Sequence, residues 1–143
     1  MARERFSGTI PEGLLYDTRH DMWVRIDGEE VIIGATSLGI YRAGKIIAFT
    51  GKPRGAIIER GRGLGTVECA KTVLAVHAPV AFHLTTANET AEEHPDLINL
   101  DPYGTGWMAR GKASDWLVDV AQLVDSASYR AHVLAQEPDA ELL

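Results

Sequence analysis

The stretch of sequence that decides the fold is Leu64-Gly65-Thr66-Val67-Glu68-Cys69-Ala70-Lys71-Thr72-Val73-Leu74-Ala75-Val76. It holds two short apolar runs, residues 64–67 and 72–76, with only a few residues between them. Two such runs so close in sequence are typical of a β-hairpin, whose connecting residues form the tip. The pattern therefore predicts a hairpin with Ala70 and Lys71 at its tip, where a lysine side chain points into solvent from a rigid support.

Other parts of the chain also favour short strands. Residues 23–26 alternate apolar and polar side chains, and Asp27-Gly28 is a hairpin signal before residues 31–33, so these two segments are expected to pair. Further strands are expected at residues 45–50, 57–58 and 82–86. Many short strands separated by turn signals predict a mainly β fold, a sandwich or a small flattened barrel.

Helices are expected late in the chain. Asn88 is predicted to cap a short helix whose first turn carries glutamates that suit the positive end of its dipole. Ser114 is predicted to cap a second helix, whose apolar face would cover an open end of the sheets and consists of Trp116, Leu117, Val120, Leu123 and Val124. A third turn or two is expected around Tyr129, Val133 and Leu134, and residues 136–143 are polar enough to fray.

Length and composition predict one small domain. With 143 residues, 45% of them hydrophobic, the chain can bury a single core. The expected domain is 1–143, with a core at about 16–124 and a helical extension at about 114–135. A net charge of -6 disfavours nucleic-acid binding, and no apolar run is long enough to span a membrane. One cysteine excludes an internal disulfide and the N-terminal residues 1–5 have no apolar signal region, so a cytoplasmic setting is expected. The chain is also expected to be a monomer.

Signals for catalysis or metal binding are weak. The glycines of Gly61-Arg62-Gly63-Leu64-Gly65 lack the spacing and the following helix of a dinucleotide-binding loop. The five histidines have no paired metal-ligand spacing, and the single Cys69 lacks the partners of a nucleophilic triad. We therefore expect no metal site and no enzymatic activity.

The order of motifs around Lys71 resembles the H protein of the glycine cleavage system, a carrier with lipoic acid in amide linkage on a lysine. Tyr16, His20 and Trp23 match the opening motif of that family. Gly55 and Ile58 match its Gly-x-x-Val motif, which precedes the hairpin. Three later segments complete the match from about residue 16 to about residue 123: Glu68-Cys69-Ala70-Lys71, Ala78-Pro79-Val80, and Asn88 with Pro95-Asp96-Leu97-Ile98-Asn99-Leu100-Asp101-Pro102-Tyr103-Gly104-Thr105-Gly106-Trp107.

This resemblance implies a barrel-sandwich hybrid, a lipoyl-domain-like β-sandwich with short helices that include a C-terminal one. It implies covalent lipoate on Lys71, recognition of Glu68 by the lipoate-attaching enzyme, and a hairpin tip completed by Cys69, Ala70 and Thr72. Lipoamide carries groups through its own sulfur chemistry, while the protein attaches and presents it. The implied partners are a lipoate ligase or lipoyltransferase, lipoamide dehydrogenase, and the enzymes that the carrier serves.

Cys69 has two interpretations. It is either a compact hydrophobe that packs on one face of the hairpin, or a thiol that exchanges with the dithiolane of a neighbouring lipoyl group. The family's usual residue at this position is serine, so such an exchange is not general among lipoyl carriers.

Departures from the family pattern bear on the client. Leu74-Ala75 and Ala81-Phe82 replace the family's Ser-Asp and Ser-Gly, and Met22 is an extra residue. These departures favour the lipoate-binding relatives that accompany heterodisulfide-reductase-like complexes in sulfur oxidation, where the dithiol would shuttle sulfur intermediates. The alternative is glycine cleavage, with its P and T proteins as partners and an aminomethyl group as cargo.

Lys71 is also compatible with two further classes of protein. A biotinyl carrier is disfavoured because Ala70 and Thr72, and not methionines, flank Lys71. An interaction module with an unmodified lysine stays open. Residues 42–62 carry excess positive charge, either as a solvated loop face or as a surface that steers an acidic client. Trp107, in the last of the matching motifs, is expected to be buried in the core.

Overall fold

The computed structural model describes residues 4–70 and 72–143. The strands are, in chain order, β1 (Ser7–Gly8), β2 (Leu15–Asp17), β3 (Met22–Asp27), β4 (Glu30–Ala35), β5 (Ile46–Gly51), β6 (Ile57–Ile58), β7 (Gly63–Cys69), β8 (Thr72–His77), β9 (Phe82–Ala87), β10 (Ala109–Ala113) and β11 (Glu141–Leu142). The helices are α1 (Ser37–Ala43), α2 (Glu89–Glu93), α3 (Asp96–Leu100), α4 (Trp116–Asp119) and α5 (Ser126–Gln136), with a 3₁₀ turn at Val120–Gln122.

The strands form three sheets. The largest has the order β2-β3-β4-β10-β9-β6, the second has the order β5-β7-β8, and β1 pairs with β11 in parallel. The mainly β fold predicted from the sequence is confirmed by the number of strands and by their arrangement in sheets. The expected pairing of residues 23–26 with 31–33 is also present, with a turn at Gly28 and Glu29 that uses the positive φ of Gly28.

Strands β3 and β4 separate two apolar clusters. Side chains on a strand alternate between its faces, so Met22 and Val24 lie in one cluster while Trp23 lies in the other. Trp23 is fully buried beside Gly34, where a Cβ atom would stand 2.6 Å from the indole ring. Gly34 is therefore the residue that admits the indole.

The buried residues reach beyond residues 16–124 on both sides. The cluster around Trp23 also contains side chains from the N-terminal segment and from α5: Phe6, Ile10, Leu14, Tyr129 and Val133. Tyr129 stacks on Tyr16 with ring centroids 4.6 Å apart. Helix α5 is therefore part of the core and not an appendage to it.

The late helices differ from the sequence expectation. Asn88 caps α2 as predicted, accepting a hydrogen bond from the Ala91 amide. The second helix begins after Asp115 and not after Ser114, and it changes to a 3₁₀ turn after one turn. Its predicted apolar face is wrong in part, because Leu117 is 88% exposed.

The C-terminal expectation is also wrong. Helix α5 has 11 residues, capped by Asp125, and thus exceeds the expected turn or two. Residues 141–142 form β11, which pairs with β1. The Glu141 amide donates to the Phe6 carbonyl at 2.9 Å, so long-range backbone pairing holds a segment whose polarity predicted fraying. No helix among the described residues is both long and apolar enough to cross a membrane.

Candidate functional site

The predicted hairpin is present as β7 and β8. Its register pairs Glu68 with Val73 and Cys69 with Thr72, so Ala70 and Lys71 are the two residues that connect the strands. Lys71, the predicted attachment residue, lies outside the described residues. Its neighbours Ala70 and Thr72 are both exposed.

The alternation of side chains along β7 separates the two predicted recognition residues. Glu68 is exposed, and its carboxylate makes no hydrogen bond or ion pair with another described residue. Cys69 points the other way and is only 5% exposed. The hairpin thus presents a carboxylate to solvent three positions before Lys71.

The environment of Cys69 supports the packing interpretation. The side chain belongs to the larger apolar cluster, and burial raises the pKa of its thiol. Sulfur exchange requires the thiolate, whose population falls as the pKa rises. Cys69 is therefore placed to pack beneath the tip and is poorly suited to exchange with a group above it.

The outer strand of the hairpin is unusually exposed. From Thr72 to Ala75 each side chain is open to solvent, and Val73 is 62% exposed. The segment includes Leu74 and Ala75, two of the departures from the family pattern. An apolar strand that solvent reaches on both faces is a surface on which another protein can dock.

An apolar cavity of about 130 Å³ lies beside this strand. Leu74 and Val76 of β8 line one side of it, and Met22 and Ile40 belong to other elements that line it. The sequence did not predict this cavity, because its walls come from segments that are far apart in the chain. Its lining suits a hydrocarbon chain or an uncharged ring.

Two histidines at the edge of the cavity form a stacked pair. The rings of His20 and His77 lie 4.6 Å apart, although 57 positions separate them in the sequence. His20 Nδ1 lies 3.0 Å from an Asp17 oxygen, and His77 Nδ1 donates to the Gly61 carbonyl at 2.9 Å. No group of three or more potential metal ligands occurs among the described residues.

Asp21 borders the same cavity in a strained conformation. Its φ is +57°, and its carboxylate accepts hydrogen bonds from the Tyr129 hydroxyl at 2.8 Å and from Arg42 at 3.2 Å. Burial raises the pKa of this carboxyl, although both donors act in the opposite direction. The carboxylate is committed to α5 and α1, which it ties to the turn before β3.

The long motif at residues 88–107 makes contacts with several other elements of the fold. The Asn88 amide donates to the carbonyls of Thr105 and Trp107, and the Trp23 indole donates to the Pro102 carbonyl at 3.1 Å. Asn99 accepts from the Ile46 amide and donates to the Gly44 carbonyl. These residues hold the sheets and loops together, and Ile98 of the same motif lines the apolar cavity, so the motif both supports the site and contributes to its wall.

Comparison with known proteins agrees with this architecture. The family described as "Glycine cleavage H-protein" matches residues 14–136. The probable glycine cleavage system H protein 2 of Sulfolobus acidocaldarius is 39% identical over 109 residues, covering 74% of this chain and 73% of that protein. The glycine cleavage system H protein of Bacteroides fragilis is 33% identical over 126 residues, covering 88% and 98%.

A solved structure supports the same assignment. The crystal structure of a glycine cleavage system H protein from Mycobacterium marinum superposes with a TM-score of 0.76 at 27% identity, covering 87% of this chain and 98% of that one. The chain therefore belongs to the glycine cleavage H-protein family, whose members are non-catalytic carriers of a lipoate attached covalently to a lysine.

Proposed function

We propose that this chain is the H protein of a glycine cleavage system and carries an aminomethyl group on a lipoyl arm attached to Lys71. The observation that carries the proposal is the hairpin, in which the Cys69 and Thr72 pair leaves Ala70 and Lys71 as the connection. Glu68 stands exposed on the same hairpin, as a recognition residue for a lipoate-attaching enzyme must.

The described residues around Lys71 fit a lipoyl group. The flanking residues are exposed, which gives an attaching enzyme access, and the closing pair holds the tip in one register. The apolar cavity beside β8 offers the hydrocarbon and ring of an arm a place out of water. When attached, the lipoyl group supplies two sulfurs that take up and release the cargo.

The chain's own contribution is presentation and positioning. A tethered group meets each docked enzyme at a high effective concentration, provided that the docking geometry lets the arm reach. The hairpin anchors the arm, Cys69 packs beneath the tip, and the exposed strand from Thr72 to Ala75 borders the path between tip and cavity. None of these roles requires a catalytic residue.

The partners that follow from this proposal are a lipoate ligase or lipoyltransferase, lipoamide dehydrogenase, and the glycine cleavage P and T proteins. The heterodisulfide-reductase-like client expected from Leu74, Ala75 and the other departures has no support among the relatives, which are named for glycine cleavage. The comparisons thus support the glycine cleavage alternative better than the sulfur-oxidation interpretation.

The attachment residue can be tested by mass spectrometry. Protein treated with a lipoate ligase, ATP and lipoate should gain a single lipoyl group, and peptide mapping should place it on Lys71. Lys71→Arg should abolish the gain because a guanidinium is a poor acyl acceptor, while the matched control Lys52→Arg should be modified normally. A lipoyl group on any other lysine would refute the assignment.

The cargo can be tested by reconstitution. Lipoylated protein, mixed with P, T and lipoamide dehydrogenase proteins and with tetrahydrofolate as the one-carbon acceptor, should support glycine-dependent reduction of NAD. Unmodified protein and the Lys71→Arg variant should not. Failure of the lipoylated protein with several partner sets, while lipoamide dehydrogenase still reduces its arm, would show that the carrier is real and the client is different.

A further inference from the structure

Three arginines converge on one concavity in an acidic protein. Arg19, Arg60 and Arg62, together with His20, line a hollow of about 200 Å³. The chain carries a net charge of -6, so a local group of three guanidiniums runs against its overall charge. Such a group makes the local electrostatic potential more positive, which attracts anions.

A chain of contacts fixes the two segments that carry these arginines. Asp17 holds the turn before β3 by accepting from the Arg19 amide at 2.9 Å and by contacting His20 at 3.0 Å. His20 stacks on His77, which donates to the carbonyl of Gly61 between Arg60 and Arg62. The arginines are therefore carried by backbone that is held in place before any ligand arrives.

The charge of this concavity is only partly neutralised. The Nε atom of Arg60 lies 3.5 Å from the carboxylate of Asp119, which is buried and also accepts from the Ala81 amide at 2.7 Å. Within the described part of the chain, the guanidiniums of Arg19 and Arg62 form no salt bridge. Asp119 thus orients the guanidinium of Arg60, and the exposed guanidiniums of Arg19 and Arg62 are available to bind an anion.

We propose that this concavity, formed by Arg19, Arg60 and Arg62, binds an acidic peptide segment of the protein on which the carrier docks. A guanidinium group can form a planar, bidentate pair of hydrogen bonds with a carboxylate. All three arginines are exposed, and an exposed ion pair is weak by itself. A peptide with several carboxylates can form several such ion pairs at once, whereas a single small anion cannot.

The position of the concavity suits docking beside the arm. His77 ends β8 and Thr72 begins it, so the histidine pair lies roughly 17 Å along the strand from the closing pair of the hairpin. The exposed side of β8 lies between them. A protein held at the arginines would therefore cover the strand next to the tip, and this docking role rests on the proposed carrier function.

The first test uses a hexaglutamate peptide titrated into unmodified, isotope-labelled full-length protein at low ionic strength. The amide signals of Arg19, Gly61 and Arg62 should shift together and saturate. The double variant Arg19→Gln with Arg62→Gln should weaken binding by about tenfold. The charge-matched control Lys52→Gln with Arg54→Gln should change it by less than about twofold, with thermal midpoints recorded for both variants.

Three results would overturn the proposal in this titration. Equal weakening by both double variants would show a response to net charge alone. Inorganic phosphate bound at the same residues as tightly as the peptide would identify a small-anion site. An absence of saturable shifts in the folded protein would show that the arginines bind no acidic segment.

A second test separates this proposal from the carrier function. In the reconstituted glycine assay, the Arg19→Gln with Arg62→Gln variant should raise the apparent KM for the carrier severalfold at unchanged maximal rate, and the Lys52→Gln with Arg54→Gln control should not. If wild type supports turnover and both variants match it, the docking proposal fails and the carrier function stands. If wild type supports no turnover but the peptide still binds at the arginines, the docking proposal stands and the assigned client fails.

Discussion

Two tryptophans that look alike in the sequence differ in their surroundings. Trp23 is fully buried and its indole donates to the Pro102 carbonyl. Trp107, expected to lie in the core, is only partly buried at the edge of the same cluster, and its carbonyl accepts from Asn88. The Trp107 expectation is therefore wrong in part, because its ring packs only at the edge of the cluster, where solvent still reaches it.

The difference predicts unequal costs of truncation. Trp23→Ala should lower the free energy of unfolding by about 3–5 kcal/mol, as expected for a large buried ring that leaves a cavity. Trp107→Ala should cost about 1–2 kcal/mol because water already reaches the ring. Urea denaturation midpoints measure both, and equal midpoints would contradict the assignment of the two environments.

Asp101 provides a test of pH dependence. Its Oδ2 atom accepts from the Thr105 amide at 2.8 Å and from the Thr105 hydroxyl at 2.9 Å. The backbone hydrogen bond of Thr105 is the main cause that lowers the pKa of this carboxyl below 3.8. A lowered pKa means that the stabilisation is present above the unfolded value and is lost as the pH falls through the folded one.

Because the Asp101 carboxylate is exposed and solvent screens its interactions, Asp101→Ala should cost only about 0.5 kcal/mol at neutral pH, and the difference from wild type should vanish below the lowered folded pKa. Asp115→Ala is the matched control, since Asp115 precedes α4 without a side-chain capping hydrogen bond. Chemical denaturation at several pH values measures the effect. A cost that persists unchanged in acid would show that the hydrogen bonds to the ionised carboxylate are not its source.

The predicted role of Glu68 in lipoylation can be tested by substitution. Because its carboxylate is exposed on β7, Glu68→Gln should leave folding unchanged and lower the rate of enzymatic lipoylation by about tenfold, through loss of a charge-assisted contact. Glu59→Gln, another exposed carboxylate in the loop before β7, is the control. Equal rates for wild type and Glu68→Gln would reduce Glu68 to an ordinary surface charge.

At the scale of elements, the sequence predicted those strands whose pairing depends on residues close together in the chain. The hairpin of β7 and β8 and the pair of β3 and β4 follow from alternation and turn residues close in the chain. Helix α1 was missed because it is short, includes Gly39 and has Leu38 as its only buried residue, so its helical periodicity is weak. Its cap, Thr36, is held by long-range contact with Tyr129.

The candidate site divides in the same way. The hairpin tip could be anticipated from the sequence. So could the exposure of Glu68 and the burial of Cys69, because neighbouring side chains on a strand point to opposite faces. The stacked pair of His20 and His77 could not be anticipated, because the rings are brought together by a turn and by the end of a strand far away in the sequence. The cavity was unpredictable for the same reason, since distant segments supply its walls.

The C-terminal strand carries its own prediction. A chain that ends at Pro138 loses β11, the partly buried Leu142 and the hydrogen bonds to the Phe6 and Gly8 carbonyls. It should lose about 1–3 kcal/mol of stability. Arg5→Gln is the control, because it removes only the exposed salt bridge to Glu141. Calorimetry should show a lower midpoint for the truncation alone, and unchanged midpoints would mean that β11 is not stably paired.

At the scale of the molecule, the two apolar clusters share strands β3 and β4. Val24 and Ile33 face one cluster, while Trp23 and Ile32 face the other. A strand pair buried on both faces cannot lose one cluster and keep the other intact, because it would then expose an apolar face. We therefore propose that the chain is one cooperative carrier domain, stable before any group is attached.

This coupling predicts a single unfolding transition. Leu64→Ala in the larger cluster and Leu38→Ala in the smaller one should each lower the free energy of unfolding by about 2–5 kcal/mol, since both side chains are buried. In both variants, tryptophan fluorescence and far-ultraviolet circular dichroism should change at the same urea concentration. Lys71→Ala, between exposed neighbours, should stay within about 0.5 kcal/mol of wild type. Separate transitions in Leu38→Ala would show that the cluster around Trp23 folds independently of the sheet that carries the hairpin.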